Sequence, residues 1–190
     1  NGRYCYLDPY VGGAITVVEA CRNLVCSGAE PIAITDCLNF GDPDKPAIAY
    51  QLEQCIRGMS AACGILDIPV ISGNVSLYNE TRGEAIYPTP VVGALGLFDD
   101  VTLHVTSAFK RLDDVVMLLG AAQADGDPIS LAGSEYLEMF HGLVAGAPSL
   151  DLPLEAKVQR ACLRAIRAGI IQSAHDCSDG GLAVTLVESS

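Results

Sequence analysis

The sequence predicts an α/β protein. Two short apolar runs, Pro31 to Ile34 and Pro69 to Ile71, read as buried strands. A single helical pattern lies between them, giving a strand-helix-strand unit. Half of the 190 residues are hydrophobic and 18% are charged, so the chain can bury a real core and is not disordered.

The elements follow in order. Residues 14 to 27 form a helical pattern with Ala14, Val17, Val18, Cys21, Leu24 and Val25 on one face, and Gly28 suits its C-terminal cap. A strand is expected at 31 to 35, followed directly by the polar loop Thr35-Asp36-Cys37-Leu38-Asn39-Phe40-Gly41. Asp44 is placed to cap the next helix, with Pro46 in its first turn. Ile48, Leu52, Cys55, Ile56, Met59 and Cys63 mark its inner face. The second strand, 69 to 72, leads into another polar loop, Gly73 to Thr81. Ala85 to Tyr87 and Val91 to Phe98 read as further strands. Thr102 to Thr106 reads equally as strand or linker. The composition changes at Phe109-Lys110-Arg111, which places a boundary near residue 108. Beyond it a strand is expected at Asp114 to Leu119, then a polar stretch from Gln123 to Gly133. A short helix capped by Ser134 follows, then a helix from Leu154 to Ala168. The loop His175-Asp176-Cys177-Ser178-Asp179-Gly180-Gly181 opens a last helix.

The formal net charge of −12 disfavours nucleic acid and anionic membrane as partners. It does not exclude a small anion held by backbone N–H groups or a bound cation. None of the eight cysteines has CxxC spacing, so reduced, packed thiols in a cytoplasmic protein are expected. No run of 18 apolar residues is present, so no membrane span is expected. The chain starts without methionine and ends inside a helical pattern, which suggests a piece of a longer polypeptide.

The two polar loops carry the candidate chemistry. Parallel neighbouring strands lie about 4.8 Å apart, so Asp36 and Asn74 would reach one ligand if their strands pair. Asp36 suits a metal or a hydrogen bond to a nucleotide, and equally a turn aspartate accepting local backbone N–H bonds. Gly73 allows close approach of a phosphate, or is a plain turn glycine. Asn74 offers a hard oxygen suited to magnesium, or an Asx-turn. Ser76 suits a phosphate oxygen, or backbone and water. The carboxylates at 176 and 179 precede a helix N-terminus, where magnesium would bridge them to a phosphate; ordinary capping by Ser178 or Asp179 is the other reading. His104 and His141 read as structural.

TDCLNFG (35–41), SGNVSLYNET (72–81), IYPTPVVG (86–93), HDCSDGGL (175–182) and the opening RYCYLDPYVGG (3–13) together resemble the second half of the phosphoribosylformylglycinamidine synthase family. The resemblance implies an ATP- and magnesium-dependent ligase of purine biosynthesis. Such an enzyme converts formylglycinamide ribonucleotide and glutamine-derived ammonia to formylglycinamidine ribonucleotide. ATP phosphorylates the amide oxygen and ammonia then displaces phosphate. It implies ATP contacts at Asp36 and Gly73, a magnesium ligand at Asn74 and a substrate contact at Ser76. Asp176 matches a metal-binding aspartate only through the pseudo-symmetry of the family's two halves. No catalytic residue is implied here, because the family's catalytic histidine and main acidic cluster belong to the first half. The implied fold is a two-domain synthetase half. Its first α/β domain (1–107) pairs sheets into a barrel-like core, and a truncated α+β domain (108–190) follows. The implied partners are a glutaminase subunit or domain and the remaining synthetase half, with a homodimer of this piece as a substitute for the latter. A structural half holding an auxiliary, non-turnover ADP site is the alternative. Aminoimidazole ribonucleotide synthetase, selenophosphate synthetase and thiamine-phosphate kinase share the fold, but TDCLNFG and GNVSLYNET favour the first family.

Overall fold

The computed structural model describes residues 2–120 and 131–190; most of the polar stretch 123 to 133 lies outside them. The chain opens with α1 (Gly2–Leu7) and α2 (Pro9–Ser27), then β1 (Glu30–Asn39), α3 (Pro46–Leu66) and β2 (Val70–Ser76). A two-stranded hairpin, β3 (Glu80–Thr81) with β4 (Glu84–Ala85), leads into β5 (Thr89–Leu97). A 3-10 turn (Val101–Leu103) precedes α4 (Glu135–His141), α5 (Leu152–Arg167) and α6 (Gly181–Glu188).

The main sheet has the order β2-β1-β5, with β2 parallel and β5 antiparallel to the central β1. The expected parallel pairing of the two apolar runs is therefore present. α2 begins earlier than its apolar periodicity, at Pro9. There Asp8 Oδ1 accepts from the Val11 N–H at 3.0 Å, and Pro9 loses nothing at a position with no intrahelical donor to make. It ends at Gly28 in the left-handed region, whose N–H reaches the carbonyls of Leu24 and Val25. Val17, Val18 and Cys21 of α2, Ile34 and Phe40 of β1 and its continuation, and Cys55 and Met59 of α3 form the core. The helices cross closely because Gly58 has no side chain: a Cβ there would lie 1.9 Å from the Tyr10 carbonyl oxygen.

Four expectations are corrected. Both polar segments are strands for most of their length, since β1 runs to Asn39, β2 runs to Ser76 and β3 takes Glu80–Thr81. Asp36 breaks the apolar alternation of Ile34 and Leu38, but pairing on both sides satisfies the β1 backbone and carries the strand past it. Asp44 does not cap α3. Its N–H instead donates to Asp42 Oδ1 at 2.9 Å, Lys45 holds the cap position without a side-chain bond, and Ile56 points to solvent. The apolar run 114–119 has no ladder partner among the described residues, so it is irregular chain rather than strand, with Val115 85% exposed. Beyond residue 108 the described elements are α4, α5 and α6, joined to the preceding linker by one parallel bridge between Thr106 and Ser173.

The described residues form no closed barrel: the main sheet is open, with edges at β2 and β5. One face of it carries α2 and α3. The other face presents Val91, Leu95 and Leu97 of β5, each about half exposed. No helix among the described residues is long and apolar enough to cross a membrane. All eight cysteines are free thiols. Burial raises the Cys21 thiol to about 12, which keeps it protonated and inert.

Candidate functional site

The strand pairing fixes where each candidate residue sits. Asp36 pairs with Gly73, Cys37 with Asn74, and Asn39 with Ser76. Side chains alternate along a strand, so Asp36 lies on the helix-facing side with Ile34 and Leu38. Its negative charge is close enough to help raise the Cys63 thiol of α3. Asn74 and Ser76 lie on the open side, in the row begun by Thr35 and Ser72, whose hydroxyl oxygens are 2.6 Å apart. The structure thus places Asp36 and Asn74 on adjacent strands but on opposite faces, and only a ligand at the β2 edge touches both.

Gly73 is the hinge of that arrangement. A Cβ added there would meet Asp36 Oδ1 at 2.3 Å, Asp36 Cγ at 2.9 Å and the Asp36 carbonyl oxygen at 2.9 Å. The absent side chain leaves the room in which the Asp36 carboxylate lies over β2, leaning toward the sheet edge. Desolvation there raises the Asp36 carboxyl above its ordinary value. A carboxylate with a raised proton affinity, beside exposed strand backbone, gains by meeting a cation or a hydroxyl donor.

Ser76 is held by a residue that sequence reasoning passed over. Asn79 donates from Nδ2 to the Phe40 carbonyl at 3.0 Å, to the Ser76 carbonyl at 2.9 Å and to Ser76 Oγ at 3.2 Å. It ties the end of β2 to the end of β1. Its place inside the segment Gly73 to Thr81 was the available signal. Asn39 acts similarly between β1 and β5, donating to the Thr89 carbonyl at 3.1 Å.

Asp176 is in a different place. It lines a cavity of about 200 Å³ with Asn23, Cys26, Ser27, Thr106 and His175, and no residue of β1 or β2 reaches it. Its side chain is 5% exposed, Oδ1 lies 3.3 Å from His175 Nδ1, and Oδ2 has no hydrogen-bond partner. An orphaned buried carboxylate oxygen costs free energy unless a cation or donor meets it. The structure does not bring Asp176 and Asn74 into one metal site. Among the described residues no group of three or more His, Cys, Asp or Glu could hold a metal ion. Neither Ser178 nor Asp179 caps α6; Gly180 occupies that position in the left-handed region. His104 Nδ1 lies 2.9 Å from the Val101 carbonyl oxygen, a local contact within an exposed turn.

An open, helix-backed sheet with polar groups gathered on two parallel strands makes this an α/β unit with a candidate ligand site on its edge strand. The chain belongs to the AIR synthase related family: the model of that family's N-terminal domain matches residues 1–98, and that of its C-terminal domain matches 111–190. It is 54% identical over 189 residues to phosphoribosylformylglycinamidine synthase subunit PurL of Anaeromyxobacter sp. (strain Fw109-5), covering 99% of this chain and 24% of that protein. It is 55% identical over 191 residues to the same subunit of Moorella thermoacetica, covering 100% of this chain and 25% of that protein. Among solved structures, Thermotoga maritima PurL complexed with ATP superposes with a TM-score of 0.59 at 27% identity, over 95% of this chain and 26% of that one. The chain spans about a quarter of the length of the curated relatives it matches.

Proposed function

We propose that this chain supplies a nucleotide-binding strand pair to a phosphoribosylformylglycinamidine synthase, an ATP-dependent C–N ligase of purine biosynthesis. One observation carries the reading: the Asp36 carboxylate lies over Gly73, with Asn74 and Ser76 next along the same edge strand. The identity to two PurL subunits and the likeness to a PurL structure complexed with ATP support it. In this reading Asp36 and the Gly73 backbone orient ATP, and Ser76, braced by Asn79, contacts formylglycinamide ribonucleotide.

Magnesium, when bound, neutralises polyphosphate charge during phosphoryl transfer. Asn74 offers a hard amide oxygen and Asp176 a buried carboxylate oxygen lacking a donor, and both suit that ion. They would hold separate ions, since the Asp176 cavity contains no strand residue.

The chain divides in this reading at about residue 108, with 1–107 as the first domain and 108–190 as the second. The exposed apolar face of β5 is the surface on which the remaining synthetase half, or a second copy in a homodimer, would sit. Ammonia comes from a glutaminase subunit or domain, and the compartment is the cytoplasm.

The test uses the full-length enzyme with Asp36→Ala and Asn74→Ala. Loss of turnover with assembly intact supports a catalytic nucleotide site. Loss of assembly supports the auxiliary ADP site of a structural half. Unchanged turnover and assembly in both variants overturn the reading.

A further inference from the structure

The solvent face of α5 gathers positive charge in an otherwise acidic chain. Lys157, Arg160, Arg164 and Arg167 are four of its eleven cations, gathered on one helix against a net charge of −12. At 3.6 residues per turn they fall within an arc of about 80° and span about 15 Å. They line, with Glu30 and Leu163, a concavity of about 290 Å³. Each neighbouring pair is three or four residues apart, where like charges oppose each other and destabilise a helix. The negative end of the helix dipole favours Arg164 and Arg167 in the last turn, but it does not account for Lys157 and Arg160.

Only one of the four is neutralised. Arg167 reaches Glu30 at 2.9 Å and Asp99 at 3.4 Å. Among the described residues, Lys157, Arg160 and Arg164 have no ion-pair partner, although acidic residues outnumber basic ones two to one in the sequence. An uncompensated cationic cluster around a concavity is what a small polyanion requires. Guanidinium groups pair with phosphate oxygens two bonds at a time.

We infer that this face of α5 is an anion site for a di- or triphosphate group, free or carried by a nucleotide. It is separate from the strand site: Glu30 and Asp36 lie six residues apart on β1, about 20 Å at strand rise. The inference does not rest on the function proposed above.

The test is calorimetric titration of this chain with inorganic tripolyphosphate at low salt, without magnesium. The variants are Lys157→Ala/Arg160→Ala/Arg164→Ala, the single Arg160→Gln, and Asp36→Ala. Alanine at exposed helical positions keeps the helix, and the single variant serves if the triple one does not fold. The expected result is saturable one-to-one binding, weakened on the order of tenfold or more by the triple substitution and severalfold by the single one. It falls steeply with salt and persists in Asp36→Ala. A parallel titration with ATP in Asp36→Ala identifies the source of the phosphates. Affinity no better than that of tripolyphosphate assigns the phosphates alone, and tighter binding that falls with the same α5 substitutions assigns a nucleotide. No saturable tripolyphosphate binding, or equal affinity in wild type and the cation variants, overturns the inference.

Discussion

Replacing Gly73 with alanine tests the contact on which the site is built. The new Cβ would lie 2.3 Å from Asp36 Oδ1, about 1 Å inside ordinary carbon–oxygen contact, and 2.9 Å from the Asp36 backbone oxygen. The carboxylate can swing away, but the backbone oxygen belongs to the central strand and is held by β2 and β5. The substitution therefore expels the side chain and also strains the ladder. Overpacking of this kind costs about 1–3 kcal/mol, a fall in Tm of roughly 2–12 °C for a chain of this size. The assay is a double-mutant cycle with Asp36→Ala, followed by thermal denaturation. In the Asp36→Ala background the Oδ1 and Cγ contacts are gone, so Gly73→Ala should cost less by about 1 kcal/mol, leaving only the backbone part. Equal cost in both backgrounds would show that Asp36 does not lie over Gly73, and the geometry of the site would be refuted.

Gly58→Ala meets the Tyr10 carbonyl oxygen at 1.9 Å, a backbone atom in the first turn of α2, so the helices must separate. A loss of roughly 3 kcal/mol or more is expected in a urea melt. Asn79→Ala removes side-chain bonds to the Phe40 and Ser76 carbonyls, yet each keeps a backbone donor, Asn79 N–H at 3.1 Å and Phe40 N–H at 3.0 Å. The cost should stay near 1 kcal/mol by the same melt, while turnover in the full-length enzyme falls more than stability does. Asp36→Asn should stabilise the chain at neutral pH. The folded carboxyl is raised above 3.8, so the native state binds the proton more tightly and loses stability relative to the unfolded one as pH rises through that value. Thermal melts should show the gap between variant and wild type open above pH 4 and close below it. Magnesium should raise the Tm of the wild type more than that of Asp176→Asn, because the orphaned Oδ2 is the oxygen a cation would meet.

The parallel neighbours β1 and β2 were legible because each is a short apolar run and one helical pattern separates them. Helix α4 was legible from Ser134, which accepts from the Leu137 N–H at 3.3 Å. The ends of β1 and β2 were not, because Asp36 and Gly73 look like loop residues until the neighbouring strands are known to satisfy their backbone. The opposite facing of Asp36 and Asn74 depends on register, and a shift of one residue reverses it; no local pattern in two such short runs fixes that. The run 114–119 shows the converse failure. Its composition suits a strand, but a strand requires a partner that periodicity cannot supply. Asp176 was singled out from its motif, whereas its separation from Asn74 is a tertiary fact.

The most direct measurement is calorimetric titration of this chain with ATP and ADP, with and without magnesium, in wild type and Asp36→Ala. The account predicts magnesium-dependent nucleotide binding that Asp36→Ala weakens at least about tenfold while the fold is retained. Nucleotide binding of equal strength in the two proteins would contradict it.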